Sequence, residues 1–229
     1  MMITTTELRA RILMRLSSEP LLKGYNVVKS KNYLTKRDNL GLFVINLNDS
    51  YSSVDTNRNN EFSLCVSPGF RRRFNILEEW FEKNYYLKDR EDIKYRFSNV
   101  WLPHLDASTQ SIYVDFLRER DTFEEDYQHL LTIIANTGLS FFSVNTTLEG
   151  MYQQRIKPVL EGKQSIDFYG FDWVPTYLSL AKITHPEQYQ TVKNVVLQTL
   201  KCRLYDLEVD RYKDSISAIL DYIDKHTFV

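Results

Sequence analysis

The sequence predicts an α+β protein, with an antiparallel sheet of about four or five strands packed by helices and an all-helical C-terminal layer after it. Two observations carry this reading. Before about residue 120, short period-2 segments are separated by Asn, Asp, Gly and Ser clusters, and after it, capped segments with 3.6-residue spacing run almost to the C-terminus. We read residues 1–118 as a sheet-containing α+β region and 119–229 as a helical region packed on it. No Pro-, Gly- or Ser-rich linker separates them, so the two are expected to form one compact unit.

The elements follow in order. Leu8, Ile12 and Leu16 recur every four positions, which predicts a helix over residues 4–17 with its cap at Thr4, Thr5 or Thr6, ended by Pro20. Its narrow apolar stripe lacks a Trp or Phe anchor, which favours core packing over a membrane-surface helix. Tyr25–Thr35, Gly41–Leu47, Glu61–Val66 and Ser111–Leu117 are the strand candidates; Phe43, Ile45 and Leu47, and Phe62, Leu64 and Val66, mark one apolar face on each of two of them. The polar connection Asn48–Asn60 reads as an exposed hairpin loop. Asn75–Tyr86 reads as a helix with Ile76, Leu77, Trp80 and Phe81 on one side.

In the second half, Thr122 and Glu125 form a capping-box pattern ahead of Phe123, Tyr127, Leu130, Leu131 and Ile134, with Gly138 as the stop. Thr147–Leu160 gives a second helix and Pro175–Ile183 a short third. Pro186 opens a stripe of Tyr189, Val192, Val196 and Leu200, and Val209, Tyr212, Ile216, Ile219 and Ile223 form another. Two such stripes joined by a short link predict an antiparallel helical pair.

Composition narrows the class. A hydrophobic content of 43% over 229 residues supplies a continuous core, and a net charge of -1 favours no partner by itself. Cys65 and Cys202 form no CxxC pair, and the N-terminal twenty residues, broken by Arg9, Arg11 and Arg15, lack a signal-peptide apolar run, so a cytoplasmic protein is expected. No apolar run approaches the roughly 18–20 residues of a membrane span, and no membrane partner is expected.

Chemical motifs are sparse. Neither GxxxxGK[ST] nor GxGxxG occurs among the seven glycines, so no phosphate cradle or nucleotide cofactor is indicated. His104, His129, His185 and His226 are scattered, no GxSxG elbow is present, and neither a catalytic set nor a metal set is assigned. The acids of residues 121–126 read as compensation for a helix N-terminus.

The sharpest charge feature is Arg71, Arg72 and Arg73, which reads either as a solvated loop or as a clamp for phosphate or a carboxylate-rich partner. Residues 1–40 hold eight Lys or Arg against three Asp or Glu, and residues 106–126 hold seven acids against two Arg, an asymmetry that predicts opposed surface patches. Trp101, within an aromatic-rich first half, and Trp173, in the segment GFDWVP, are candidate contact residues for a partner.

The order LLKGYNVVKSKNYLTKRDNLGLFVINLNDSYSS, NEFSLCVSPG and DTFEEDYQHLLTIIANTGLSFFSVNTTLEGM resembles the bacterial DUF4304 family over roughly residues 10–160, with NTGLSFF matching that family's last piece. The resemblance implies an α+β fold and transfers no catalytic residues; by analogy it suggests an accessory, immunity-like role. The expected function is a non-enzymatic interaction protein that binds and blocks a protein partner. Two alternatives stand beside it: a nucleic-acid-binding or nucleic-acid-processing protein using residues 71–73, and an enzyme whose site is assembled only in the fold.

Overall fold

A computed structural model describes residues 4–56, 59–77, 114–117, 122–166, 173–202 and 213–228. The chain divides into two compact units, one of residues 1–71 with 101–143 and the other of 72–100 with 144–229. Among the described residues, no helix is long and apolar enough to cross a membrane.

The first unit opens with helix α1 (Thr5–Ser18). Thr4 caps it: its Oγ1 accepts from the Glu7 amide at 3.2 Å, and the Glu7 carboxylate accepts from the Thr4 amide at 2.8 Å. This reciprocal pair satisfies two amides that a helix start leaves without partners. Leu8, Ile12, Leu13 and Leu16 form its buried stripe. Pro20 ends it as expected, opening a short 3₁₀ turn, Pro20–Leu22.

The sheet is antiparallel and five-stranded, in chain order: β1 (Asn26–Val28), β2 (Tyr33–Arg37), β3 (Gly41–Thr56), β4 (Asn59–Phe74) and β5 (Val114–Leu117). Where the period-2 pattern predicted one strand over Tyr25–Thr35, the chain instead makes two strands joined by a 3₁₀ turn at Lys29–Lys31. Asn32, in the left-handed region at φ 52° and ψ 39°, turns the chain back. Asn tolerates that region better than other non-glycine residues. β1 and β2 pair with Val27 opposite Leu34, β2 and β3 with Leu34 opposite Ile45, and β4 and β5 with Leu64 opposite Phe116.

These registers sort side chains by face, because residues directly opposite one another share one. Leu34, Phe43, Ile45, Leu47, Leu64, Val66, Val114 and Phe116 line one face and are all buried. Helix α2 (Phe123–Ile133) meets that face where Phe123 lies 5.7 Å from Phe116, centroid to centroid. α1 packs beside α2: the Arg11 guanidinium sits 3.7 Å over the Phe123 ring, and Arg15 makes a forked ion pair with Glu124 at 2.8 and 3.1 Å.

Two expectations at α2 are corrected. Thr122 precedes the helix without capping a backbone amide; its hydroxyl donates to Asp126 Oδ2 at 2.7 Å, so no capping box with Glu125 forms. Gly138 does not stop the helix. The chain continues as a π-helical turn, Ile134–Leu139, into helix α3 (Ser140–Val144). Gly138 is there because a Cβ would overlap the ring of Phe70.

The described residues of the second unit are mainly helical. Thr147 caps α4 (Leu148–Arg155) by accepting from the Gly150 amide at 3.0 Å. The single helix expected over Thr147–Leu160 breaks at Ile156, and α5 (Lys157–Leu160) restarts with Pro158 in its first turn, where the missing N–H has no cost. α6 (Trp173–Thr184), α7 (Tyr189–Cys202) and α8 (Lys213–Lys225) follow, with a 3₁₀ turn at Pro186–Gln188 leading into α7. Near the start of α7, Tyr189 Oη donates to Asp224 Oδ1 at 2.7 Å, and Lys193 Nζ donates to Asp224 Oδ2 at 2.5 Å. The start of α7 thus meets the end of α8, and both helices pack chiefly on α6 rather than along each other as the expected pair would. Lys182 of α6 ties in the same helix end by donating to the carbonyls of Ile223 and Asp224.

Candidate functional site

The arginine run is not a loop. Arg71, Arg72 and Arg73 lie on β4, which places successive side chains on opposite faces of the sheet. Alternation puts Arg72 on the face of Phe70, and Arg71 and Arg73 on the face of Gly69. One ligand therefore cannot meet all three. Arg72 is 0% and Arg73 6% exposed, and Arg71 is half-buried, its guanidinium held below its ordinary pKa by that burial. The triplet is not the exposed patch that its charge suggested.

Around Arg71 the sheet face is polar. Asn46 is buried and donates from Nδ2 to Asn48 Oδ1 at 2.5 Å, and Gly69 leaves room for both, since a Cβ there would lie 3.2 Å from the Asn48 amide nitrogen. Farther along, Ser63 Oγ donates to Asp115 Oδ1 at 3.2 Å across β4 and β5. These groups bond to one another within the sheet. Of the other predicted contact residues, Trp101 lies outside the described residues and Trp173 opens α6. Among the described residues, no group of three His, Cys, Asp or Glu side chains is gathered as metal ligands. The apolar crevice between α1 and the sheet, lined by Ile12, Leu47, Leu64 and Val66, has space for roughly one water.

The feature that sequence reading missed is the reach of β3. Residues 48–60 were expected to be loop, yet strand continues through Thr56 and resumes at Asn59. β2 pairs only with Leu42–Asn46, and the last contact on that side is the Leu47 amide donating to the Asn32 carbonyl at 3.0 Å. Among the described residues, nothing pairs with the outer edge of β3 over residues 48–56. Because the Leu47 N–H points toward β2, alternation directs the backbone N–H and C=O of Asp49, Tyr51, Ser53 and Asp55 to the same outer edge.

An edge of this kind is a template for another strand, and proteins commonly blunt it with Lys or Pro. Residues 41–56 contain no Lys, Arg or Pro; Asp49 and Asp55 are their only charges. The sequence signal that could have located the arm is Tyr51, Val54 and Thr56, residue types that strands favour, within a stretch otherwise dominated by Asn, Asp and Ser. No family model, curated protein or solved structure matches the chain.

Proposed function

We propose that this chain is a non-enzymatic interaction protein that binds and blocks a protein partner, and that it does so by adding a partner strand to the outer edge of β3. The observation that carries the reading is the edge itself: nine residues of β3 continue past the last β2 contact. Main-chain bonds in such an arrangement supply affinity, and the alternate side chains supply specificity. The two ladders differ in what a proline would remove. A proline at Ser53 deletes an outward N–H and leaves the β3–β4 ladder intact, whereas Ser52 donates inward.

The test is affinity capture from the source cell with wild type, Ser53→Pro and Ser53→Ala, together with a photo-crosslinker at position 53. The reading predicts a stoichiometric protein crosslinked at position 53, retained by Ser53→Ala and lost with Ser53→Pro. Equal capture by all three, with no crosslink at position 53, would reject it.

A further inference from the structure

In the second unit, one imidazole lies between two carboxylates from different elements. His185 Nδ1 is 3.1 Å from Glu187 Oε1, and His185 Nε2 is 3.1 Å from Glu149 Oε2. The ring centroid is 4.0 Å from that of Tyr152, which is itself anchored by its hydroxyl donating to Gln188 Oε1 at 2.6 Å. Glu187 belongs to the turn after His185, so its bond is local. Glu149 belongs to α4, 36 positions away, so its bond joins the first turn of α4 to the entry of α7.

A carboxylate only accepts hydrogen bonds, and a neutral imidazole has only one N–H to donate. Both bonds are therefore satisfied together only by the imidazolium. The two ring nitrogens point in opposite directions, so the three groups cannot converge on one metal ion. From these geometric facts we infer that His185 is a proton-operated latch, which fastens α4 to the turn before α7 when protonated and releases one of its two carboxylates when neutral.

The surroundings favour the closed form. Burial alone would lower the His185 pKa, but its bonds to Glu187 and Glu149 outweigh this and raise it. Glu149 is held below the usual carboxylate range, first by the Gln153 amide, then by His185, with Lys157 of α5 adding to the effect. Glu187 is lowered by a backbone hydrogen bond and by His185. Tyr152 and Gln188, the other polar groups at the site, are neutral. A histidine whose folded pKa is raised contributes stability that is fully present below its unfolded value, near 6.5, and is lost as pH rises through the folded value. Both carboxylates are thus held in mildly acidic solution, and toward alkaline pH the neutral ring keeps the local Glu187 bond through its Nδ1–H and lets go of Glu149 on α4.

The test uses the full chain. The imidazole C–H resonances of His185 are followed by NMR against pH, and amide exchange over residues 149–152, corrected for its intrinsic pH dependence, is measured in wild type and His185→Gln. The latch predicts a His185 midpoint above about 6.5, moved down by Glu149→Gln, and α4 protection that falls with rising pH in wild type only. A midpoint at or below 6.5 that Glu149→Gln leaves in place would overturn it. So would an identical pH profile of α4 protection in wild type and His185→Gln. Should either variant fail to fold, the wild-type titration decides alone.

Discussion

Gly138 lies so close to the ring of Phe70 that a single added methyl would overlap it. The contact joins the π-helical turn after α2 to β4, and it explains a glycine inside a helical run. Gly138 has no positive φ, so close approach, not backbone conformation, demands it. In an ordinary helix, replacing Gly by Ala gains about 1 kcal/mol. Here, Gly138→Ala is expected to destabilise the chain by about 1–3 kcal/mol through overpacking, and Phe70→Leu combined with Gly138→Ala should recover part of the loss. Urea unfolding of the single and double variants measures both.

Phe142, one turn farther on, is the hub of the same contact. Its ring lies 5.2 Å from Phe43, 6.2 Å from Phe70 and 5.6 Å from Phe141, with Tyr25 stacked at 6.4 Å. Phe142→Ala should therefore cost about 3–5 kcal/mol, the range for emptying a buried aromatic site. Phe142→Leu should cost less. Thermal or urea unfolding read out by circular dichroism distinguishes the two.

Tyr127 is fully buried on α2, and its hydroxyl donates to Glu19 Oε1 at 2.8 Å, just past the end of α1. Burial is the main reason its phenol is held well above the ordinary pKa, with the Glu19 bond adding to it. Tyr127→Phe keeps the ring packing and removes one hydrogen bond. Since half-buried Glu19 can turn to water, the expected loss is about 1 kcal/mol, measured by denaturant unfolding. The 4.8 Å stacking of the Arg15 guanidinium on the ring is expected to survive.

Asp224 gathers Lys193 and Tyr189, and these two bonds hold its carboxyl below its ordinary pKa. A depressed folded pKa contributes stability that is present above the unfolded value and is lost as pH falls through the folded value. Asp224→Asn should therefore lower the melting temperature at neutral pH. The gap to wild type should close in acid, below the ordinary Asp value of about 3.9. Melting curves across that range check the sign.

Much of this architecture was legible in sequence, for reasons that differ by element. α1 announced itself through Leu8, Ile12 and Leu16 and the threonines ahead of Glu7, because helix period and cap are local properties. The apolar face of β3 was legible through Phe43, Ile45 and Leu47 for the same reason. Arg71–Arg73 misled because three charges in a row suggest solvent, whereas their strand places them on two faces and buries two of them. Gly138 misled because a glycine after a helical stripe resembles a stop, and the Phe70 ring that requires it is 68 positions away. His185 was seen only as scattered. Its neighbour Glu187 is near in sequence, but Glu149 is brought to it by tertiary packing alone. The edge of β3 was hidden by composition, since Asn, Asp and Ser are common in turns.

The most direct measurement is residue-resolved amide exchange over β3, in the free protein and with its captured partner. In the free protein, the amides of Ser50, Ser52 and Val54, which point to β4, should be protected, while those of Asp49, Tyr51, Ser53 and Asp55 exchange rapidly. Binding should slow the outward set specifically. If partner binding leaves those four amides exchanging as fast as in the free chain, strand addition at this edge is wrong.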